Sequence, residues 1–376
     1  VLLLHTFLSP LRVPLFEALT ERFDLDVWIL GDIRAVRDWP ADAPNAKVRL
    51  RVLPHISIPL GSRYNVILLN YTLARELAQL KPDVIVCCGW DTPAAFHAAW
   101  YAARTRTPFI LWSGSTAAEP TLLRAMTKPI VKWLVQNATA WVAYGSRAKE
   151  YLVSLGANAD RTHLAYNTVE LDAIASISTN TDVASMRAQT NIRTEYVALY
   201  CGNLLDLKGV GDLIEAFAEI APTHDVTLLF VGSGKHEAKY RERVRALGIE
   251  DRVVFAGFAA RDDVPRYYAM SDVLILPSRS EVWGLVINEA LACGVPVIAT
   301  DACGAAPDLI QHEVNGFVVP SRNVDALAKA IAQFFAQPER HSAMRDAARA
   351  SIAPFTIDRA AGAFVDAVRC GLRMRG

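Results

Sequence analysis

Two carboxylates, Glu281 and Glu289, stand eight positions apart in Pro277-Ser-Arg-Ser-Glu281-Val-Trp283-Gly284-Leu285-Val-Ile-Asn-Glu289-Ala-Leu-Ala-Cys-Gly294. An apolar run, Val273–Leu276, precedes the segment and reads as a buried strand ending in a Pro-Ser turn. Glu281 then falls in a loop and Glu289 inside a helix. Eight helical residues rise ~12 Å at 1.5 Å each, so the two carboxylates cannot share one proton or one metal. They can grip opposite ends of an extended ligand, such as the sugar and the ribose of a nucleotide sugar. Gly284 lets backbone approach a ligand at a helix start, where free N–H groups and the dipole favour phosphate. The plainer alternative is a pair of solvated charges flanking a core helix. The apolar neighbours of Glu289 (Val286, Ile287, Ala290 and Leu291) speak against it.

A cation lies upstream, in Tyr200-Cys-Gly202-Asn203-Leu-Leu-Asp-Leu-Lys208-Gly209. A fixed cation with helix-start amides is an arrangement that stabilises negative charge developing on a phosphate. A lone lysine is more often a surface residue; the Gly209 that follows Lys208 singles it out.

The elements that must position these residues are legible as a rhythm of apolar runs and amphipathic segments. Strands are expected at Val1–His5, Leu25–Leu30, Asp83–Cys88, Pro108–Trp112 and Thr139–Tyr144. In the second half they are expected at Val197–Cys201, Val226–Val231, Arg252–Phe255, Val273–Leu276, Pro296–Ala299 and Gly316–Val319. Runs without polar alternation, each followed by a helical pattern such as Gly211–Ile220 or Lys235–Leu247, indicate parallel strands buried on both faces. The rhythm breaks at Leu171–Thr194, rich in Ser, Thr, Asn and Asp, with a short helix expected around Asp182–Gln189. The expected organisation is a Rossmann-like domain over 1–172, a linker over 173–194, a second Rossmann-like domain over 195–356, and a C-terminal helix in 357–376 that packs back on the first. Ligands of such sheets bind at the carboxyl ends of the strands.

The bulk numbers narrow the function. The chain has 376 residues, 52% of them hydrophobic, enough for two α/β cores and against disorder. Its 39 basic and 39 acidic residues cancel, giving no overall charge to draw it onto nucleic acid. Its 6 cysteines form no C-x-x-C pair, as expected of free thiols in a reducing compartment, and its 8 histidines form no H-E-x-x-H, so no metal site is expected. Val1–His5 reads as a strand and not a secretory leader, and no apolar run reaches membrane-spanning length. No G-x-G-x-x-G follows the first strand, which argues against a dinucleotide oxidoreductase. Gly232-Ser-Gly234-Lys235 lacks the P-loop spacing. The D-x-D at Asp24-Leu-Asp26 lies at a strand start, which argues against a metal-dependent donor site.

The signature segment, with Glu281 and Glu289 as an E-x7-E pair, resembles the retaining glycosyltransferases of glycosyltransferase family 4, which adopt the α/β GT-B fold. Ordered matches extend the resemblance: Gly202–Gly209 to a G-R-L-x-x-x-K-G turn, Phe230–Gly234 to V-G-x-G, Arg252–Phe258, Tyr267–Asp272, and Asn167–Glu170 to N-G-V-D. The resemblance implies two doubly wound domains facing an interdomain cleft. It implies that Glu281 orients the transferred sugar, Lys208 neutralises the diphosphate and Glu289 holds the ribose. The backbone of Trp283, Gly284 and Leu285 would cradle phosphate, and Gly232 and Phe258 would border the nucleotide. Asn203 stands where the family carries arginine, and Arg12, in Ser9-Pro-Leu-Arg12, is the candidate replacement cation. Trp112-Ser113-Gly114-Ser115 replaces the usual histidine region, with Ser113 the candidate contact.

The implied activity is retaining, metal-independent hexosyl transfer from a nucleotide-diphosphate sugar, without a cofactor, to a glycan or lipid-linked acceptor in polysaccharide or glycoconjugate synthesis. The implied location is cytoplasmic, at the inner membrane face. The rivals are a non-catalytic sugar-nucleotide-binding subunit and a GT-B phosphorylase or epimerase. In Leu122–Val135, Arg124, Lys128 and Lys132 recur along one face, with Leu122, Leu123, Met126, Ile130, Trp133 and Leu134 on the other and Pro129 interrupting. A membrane-surface helix and an ordinary amphipathic helix fit this segment equally.

Overall fold

A computed structural model of the chain describes residues 1–31, 47–62, 65–118 and 122–374. It divides into two compact units, Val1–Val169 with Ile357–Gly376, and Glu170–Thr356.

In chain order the first unit holds β1 (Leu2–His5), α1 (Val13–Thr20), β2 (Asp26–Ile29), β3 (Arg49–Val52), β4 (Ile56–Ser62), β5 (Asn65–Leu69) and α2 (Leu73–Leu80). It continues through β6 (Ile85–Cys88), α3 (Pro93–Thr105), β7 (Phe109–Ser113), α4 (Leu122–Gln136), β8 (Ala140–Ala143), α5 (Ser146–Ser154) and β9 (Thr162–Leu164). Its described strands form a parallel sheet ordered β3-β2-β1-β6-β7-β8-β9, with β4 and β5 as a separate antiparallel hairpin. Every residue of β8 is buried, as are all but the last residues of β1 and β6, because helices cover both faces.

The second unit holds α6 (Leu171–Thr179), α7 (Val183–Gln189), β10 (Tyr196–Cys201), α8 (Val210–Ile220), β11 (Val226–Val231), α9 (Glu237–Ala246), β12 (Val253–Gly257) and α10 (Val264–Ala269). After these come β13 (Val273–Leu276), α11 (Leu285–Ala292), β14 (Val297–Thr300), α12 (Ala306–Leu309), β15 (Gly316–Val319), α13 (Val324–Phe335) and α14 (His341–Ile352). Its sheet is parallel throughout, ordered β12-β11-β10-β13-β14-β15. Both sheets start in the middle, wind outward and then return to the other side of the first strand. Each therefore has a reversal point, between β1 and β6 and between β10 and β13, where loops leave a crevice at the carboxyl edge.

α15 (Ile357–Arg373) belongs to the first unit, where it packs on α1, β7, β8 and β9. Its buried Ala360, Ala361, Phe364, Ala367 and Val368 enter one core layer with Leu3, Val27, Ile110 and Val142.

One boundary needs correction. The segment expected as a linker, 173–194, is folded into the second unit, where α6 packs on α10 and α11 and α7 packs on α10. Its polar residues misled the sequence reading because they bond locally. Thr179 and Thr181 donate to carbonyls four residues back at 2.9 and 2.8 Å, and Asp182 caps α7 by accepting from the Ser185 N–H at 3.1 Å.

Candidate functional site

The second unit presents its candidate residues on loops at the carboxyl edge of the sheet, around the reversal between β10 and β13. The loop after β10 ends in a tight 3₁₀ turn, Asp206–Lys208, closed by Gly209 at φ +69°. A Cβ at Gly209 would lie 1.9 Å from the Pro277 carbonyl oxygen, so only glycine lets this loop touch the one that follows β13. Arg279 fastens the two together. Its N–H donates to the Leu207 carbonyl at 2.9 Å, and its guanidinium grips Asp212 through Nε at 2.9 Å and a terminal nitrogen at 2.6 Å.

This brace brings Lys208 and Glu281 together: Lys208 Nζ donates to Glu281 Oε2, with the two side chains 24% and 18% exposed. Glu281 is also fixed through its backbone, donating to the Ala302 carbonyl at 3.2 Å and accepting from the Gly304 N–H at 3.0 Å. Two residues on, the Trp283 indole is buried and donates to Asn288 Oδ1 at 2.9 Å, so its side chain anchors the loop. Gly284, at φ +97°, caps α11. The first amides of that helix, from Leu285 onward, have no partners within the helix.

Glu289, one turn from the end of α11, accepts a hydrogen bond from the Tyr268 hydroxyl at 2.9 Å. It lines a cavity of about 120 Å³ with Glu170, Ala173, Ile174, Arg261 and Pro265. Burial pushes its carboxyl up to about 7, while the Tyr268 hydrogen bond and the Arg261 charge pull it back down. Arg261 in turn pairs with Glu170 at 3.5 Å. Thus Glu281 and Glu289 are held by different partners, one by a lysine and the other by a phenol.

The remaining candidates of this unit lie on neighbouring loops. Asn203 is exposed, and its carbonyl accepts from the buried Tyr200 hydroxyl at 2.8 Å. Gly232 follows β11 and donates to the Gly257 carbonyl at 2.7 Å. Phe258, just past β12, leaves 76% of its surface exposed. Tyr268, Arg279, Asp212 and Arg261 were not singled out from sequence. The available signal was the position of Tyr268 and Arg279 inside motifs quoted only for their spacing.

Arg12 and Ser113 belong to the first unit. Arg12 follows β1 and donates to Asn167 Oδ1 at 2.6 Å, with its guanidinium carbon 5.0 Å from the Trp112 ring and 4.9 Å from the Tyr144 ring. Ser113 is the buried last residue of β7, one position beyond the expected strand end, and its Oγ accepts from the Ser115 N–H at 3.2 Å.

α4 runs unbroken through Pro129, contrary to the expected interruption. Val131, Leu134 and Val135 face the core, whereas Ile130 and Trp133 are 55% and 43% exposed beside the exposed Lys128 and Lys132. Ile130 and Trp133 therefore do not share the buried side with Leu134, as the sequence pattern suggested. The side chains of Leu122, Leu123, Arg124 and Met126 lie outside the described residues. Among the described residues no helix is long and apolar enough to cross a membrane.

Comparison with known proteins places the chain in a family. N-acetyl-alpha-D-glucosaminyl L-malate synthase of Bacillus anthracis is 36% identical over 172 residues, 46% of this chain and 44% of that relative. This chain thus matches under half the length of that enzyme. Alpha-D-kanosaminyltransferase of Streptomyces kanamyceticus is 29% identical over 325 residues, 80% of this chain and 83% of the relative. The crystal structure of Anabaena HepE in complex with UDP superposes with a TM-score of 0.77 at 21% identity, covering 97% of this chain and 98% of that one, a likeness that shows the GT-B fold. The family model for Glycosyltransferase Family 4 matches residues 15–173, and that for Glycosyl transferases group 1 matches 182–351. With one domain model following the other along nearly the whole chain, the protein belongs to the glycosyltransferases of family 4 and group 1.

Proposed function

We propose that the protein transfers a hexose-type sugar from a nucleotide-diphosphate sugar to an acceptor hydroxyl, with retention of anomeric configuration and without a metal. The observation that carries the reading is the Lys208–Glu281 pair, held over the sheet reversal by the Arg279–Asp212 brace and followed at once by the start of α11. In this reading the diphosphate takes Lys208, and the amides at Gly284 and Leu285 receive its second charge, so that negative charge on the leaving group meets a fixed cation and fixed dipoles. Glu281, relieved of its lysine, accepts from hydroxyls of the sugar. Glu289 accepts from the ribose, and the exposed face of Phe258 packs on the base. Asn203, which carries no charge, contributes hydrogen bonds only. The acceptor hydroxyl attacks from the face that the diphosphate leaves and passes its proton to the departing phosphate oxygen, a route that needs no protein nucleophile.

The acceptor in this reading is a glycan or lipid-linked precursor, presented where α4 meets the inner face of a membrane. Exposed Ile130 and Trp133 flanked by Lys128 and Lys132 suit the boundary between headgroups and acyl chains.

The test is a panel of nucleotide sugars incubated with the purified chain, read as release of nucleoside diphosphate by slow hydrolysis. Release from one donor, abolished in Lys208→Ala, is the expected result. No release from any donor, with nucleotide bound nonetheless, would favour the non-catalytic binding subunit.

A further inference from the structure

In the first unit the carboxyl edge of the sheet gathers His5 from β1, Cys88 from β6, Trp112 from β7 and Tyr144 just beyond β8, around the reversal between β1 and β6. Arg12, from the loop between β1 and α1, lies among them. Its guanidinium carbon lies within 5.0 Å of the ring centres of both Trp112 and Tyr144, and a terminal nitrogen is tethered by the buried Asn167. Among the described residues no carboxylate oxygen comes within 4.0 Å of its nitrogens. Nor does the neighbouring histidine change the charge of the cluster, since burial and the Arg12 charge hold His5 down to about 3, and it stays neutral.

A half-buried cation without a counter-ion is unfavourable, and stacking on aromatic faces offsets only part of that cost. The two rings and the Asn167 hydrogen bond together restrain the guanidinium, and a restrained fork is suited to bidentate recognition of an oxyanion. Two further polar atoms in the cluster, Trp112 Nε1 and His5 Nε2, are buried without a partner, and Trp112 itself is 1% exposed. The rings of His5 and Trp112 are 5.5 Å apart. A restrained guanidinium with no carboxylate partner among the described residues, beside unsatisfied polar atoms at a sheet reversal, is the chemistry of an anion site.

We propose that Arg12 anchors a phosphate or carboxylate group of a substrate at the reversal point of the first unit. Two sources can supply that group: the diphosphate of the donor, or an acceptor that is itself anionic. Naming either as the source rests on the function proposed above; the binding of an anion does not.

The experiment uses the full chain and calorimetric titration with three probes: inorganic phosphate, succinate and UDP. Wild type is expected to bind at least one of them, and Arg12→Gln to weaken that binding by tenfold or more. Arg12→Lys, which keeps the charge and loses the planar fork, should fall in between, and it serves alone if the glutamine variant does not fold. Loss of UDP affinity matching the loss for phosphate assigns the anchor to the donor. UDP affinity equal to wild type, with phosphate or succinate weakened, assigns it to an anionic acceptor. Equal affinities for all three probes in wild type and both variants, or no binding of any probe by wild type, overturns the proposal. A silent donor-hydrolysis panel would remove the proposed activity and leave this binding result standing; the converse also holds.

Discussion

Lys208 and Glu281, 73 positions apart in the chain, form an ion pair between two loops of one sheet edge. Each is the other's partner, and in the proposed function the lysine meets the diphosphate and the carboxylate the sugar. In that reading, removing the lysine takes away the cation that meets the leaving group, worth about 10²–10³ in rate for a preorganised donor. Lys208→Ala should therefore lower kcat/KM by that range, and steady-state kinetics on the donor identified by hydrolysis would measure it. Turnover at the wild-type rate would rule out the assignment of Lys208.

Glu289 should trade stability for binding. Its carboxyl is pushed up to about 7 in the folded chain, above its ordinary value of 4.5. The folded state then holds more protons than the unfolded state between those values, so this residue's contribution to stability falls as pH rises from 4.5 through 7. Glu289→Gln should remove that slope and stabilise the ligand-free protein at pH 8 by about 1–3 kcal/mol. The same substitution should weaken nucleotide binding. Urea melts at pH 5 and pH 8, paired with a nucleotide titration, would check both halves.

Gly209→Ala should be costly in an exposed-looking turn. The new Cβ meets a backbone carbonyl in a left-handed conformation, which calls for about 2 kcal/mol or more of destabilisation. Because the strain falls between Lys208 and the loop of Glu281, donor turnover should drop further than stability alone explains. Arg279→Ala, which opens the brace without a clash, should reproduce the loss of turnover with a smaller shift in the urea midpoint.

The α4 surface gives a separate expectation. Lys128→Glu with Lys132→Glu should reduce binding to phosphatidylglycerol vesicles by at least tenfold at low salt, from about 1 kcal/mol per lysine lost near an anionic surface. Trp133→Ala should reduce it independently of salt. Vesicle sedimentation at two ionic strengths separates the two effects, and no binding by wild type would dismiss the membrane reading.

What the sequence disclosed follows from what each segment must bury. The buried central strands, Leu2–His5 or Val226–Val231, announce themselves as unbroken apolar runs because helices cover both their faces. Arg49–Val52 gave no such signal, since an edge strand with three of its four residues exposed carries polar side chains. The helix α6 was hidden by polar residues such as Thr179, whose hydroxyl bonds back within the helix, whereas α7 lies where a short helix was expected. Of the site, the positions of Glu281, Lys208 and Glu289 were legible as spacing. Their partners were not, because Tyr268 reaches Glu289 across 21 positions and Asp212 reaches Arg279 across 67. Nothing local in a sequence marks which phenol or carboxylate will be opposite.

The return of α15 to the first unit sets an order of assembly. Phe364 and its neighbours fill a layer begun by Leu3 and Val27, so that layer stays unfinished until α15 has been synthesised, whereas the second unit is continuous and can close earlier. Removing α15 would thus injure the unit whose strands were synthesised before it.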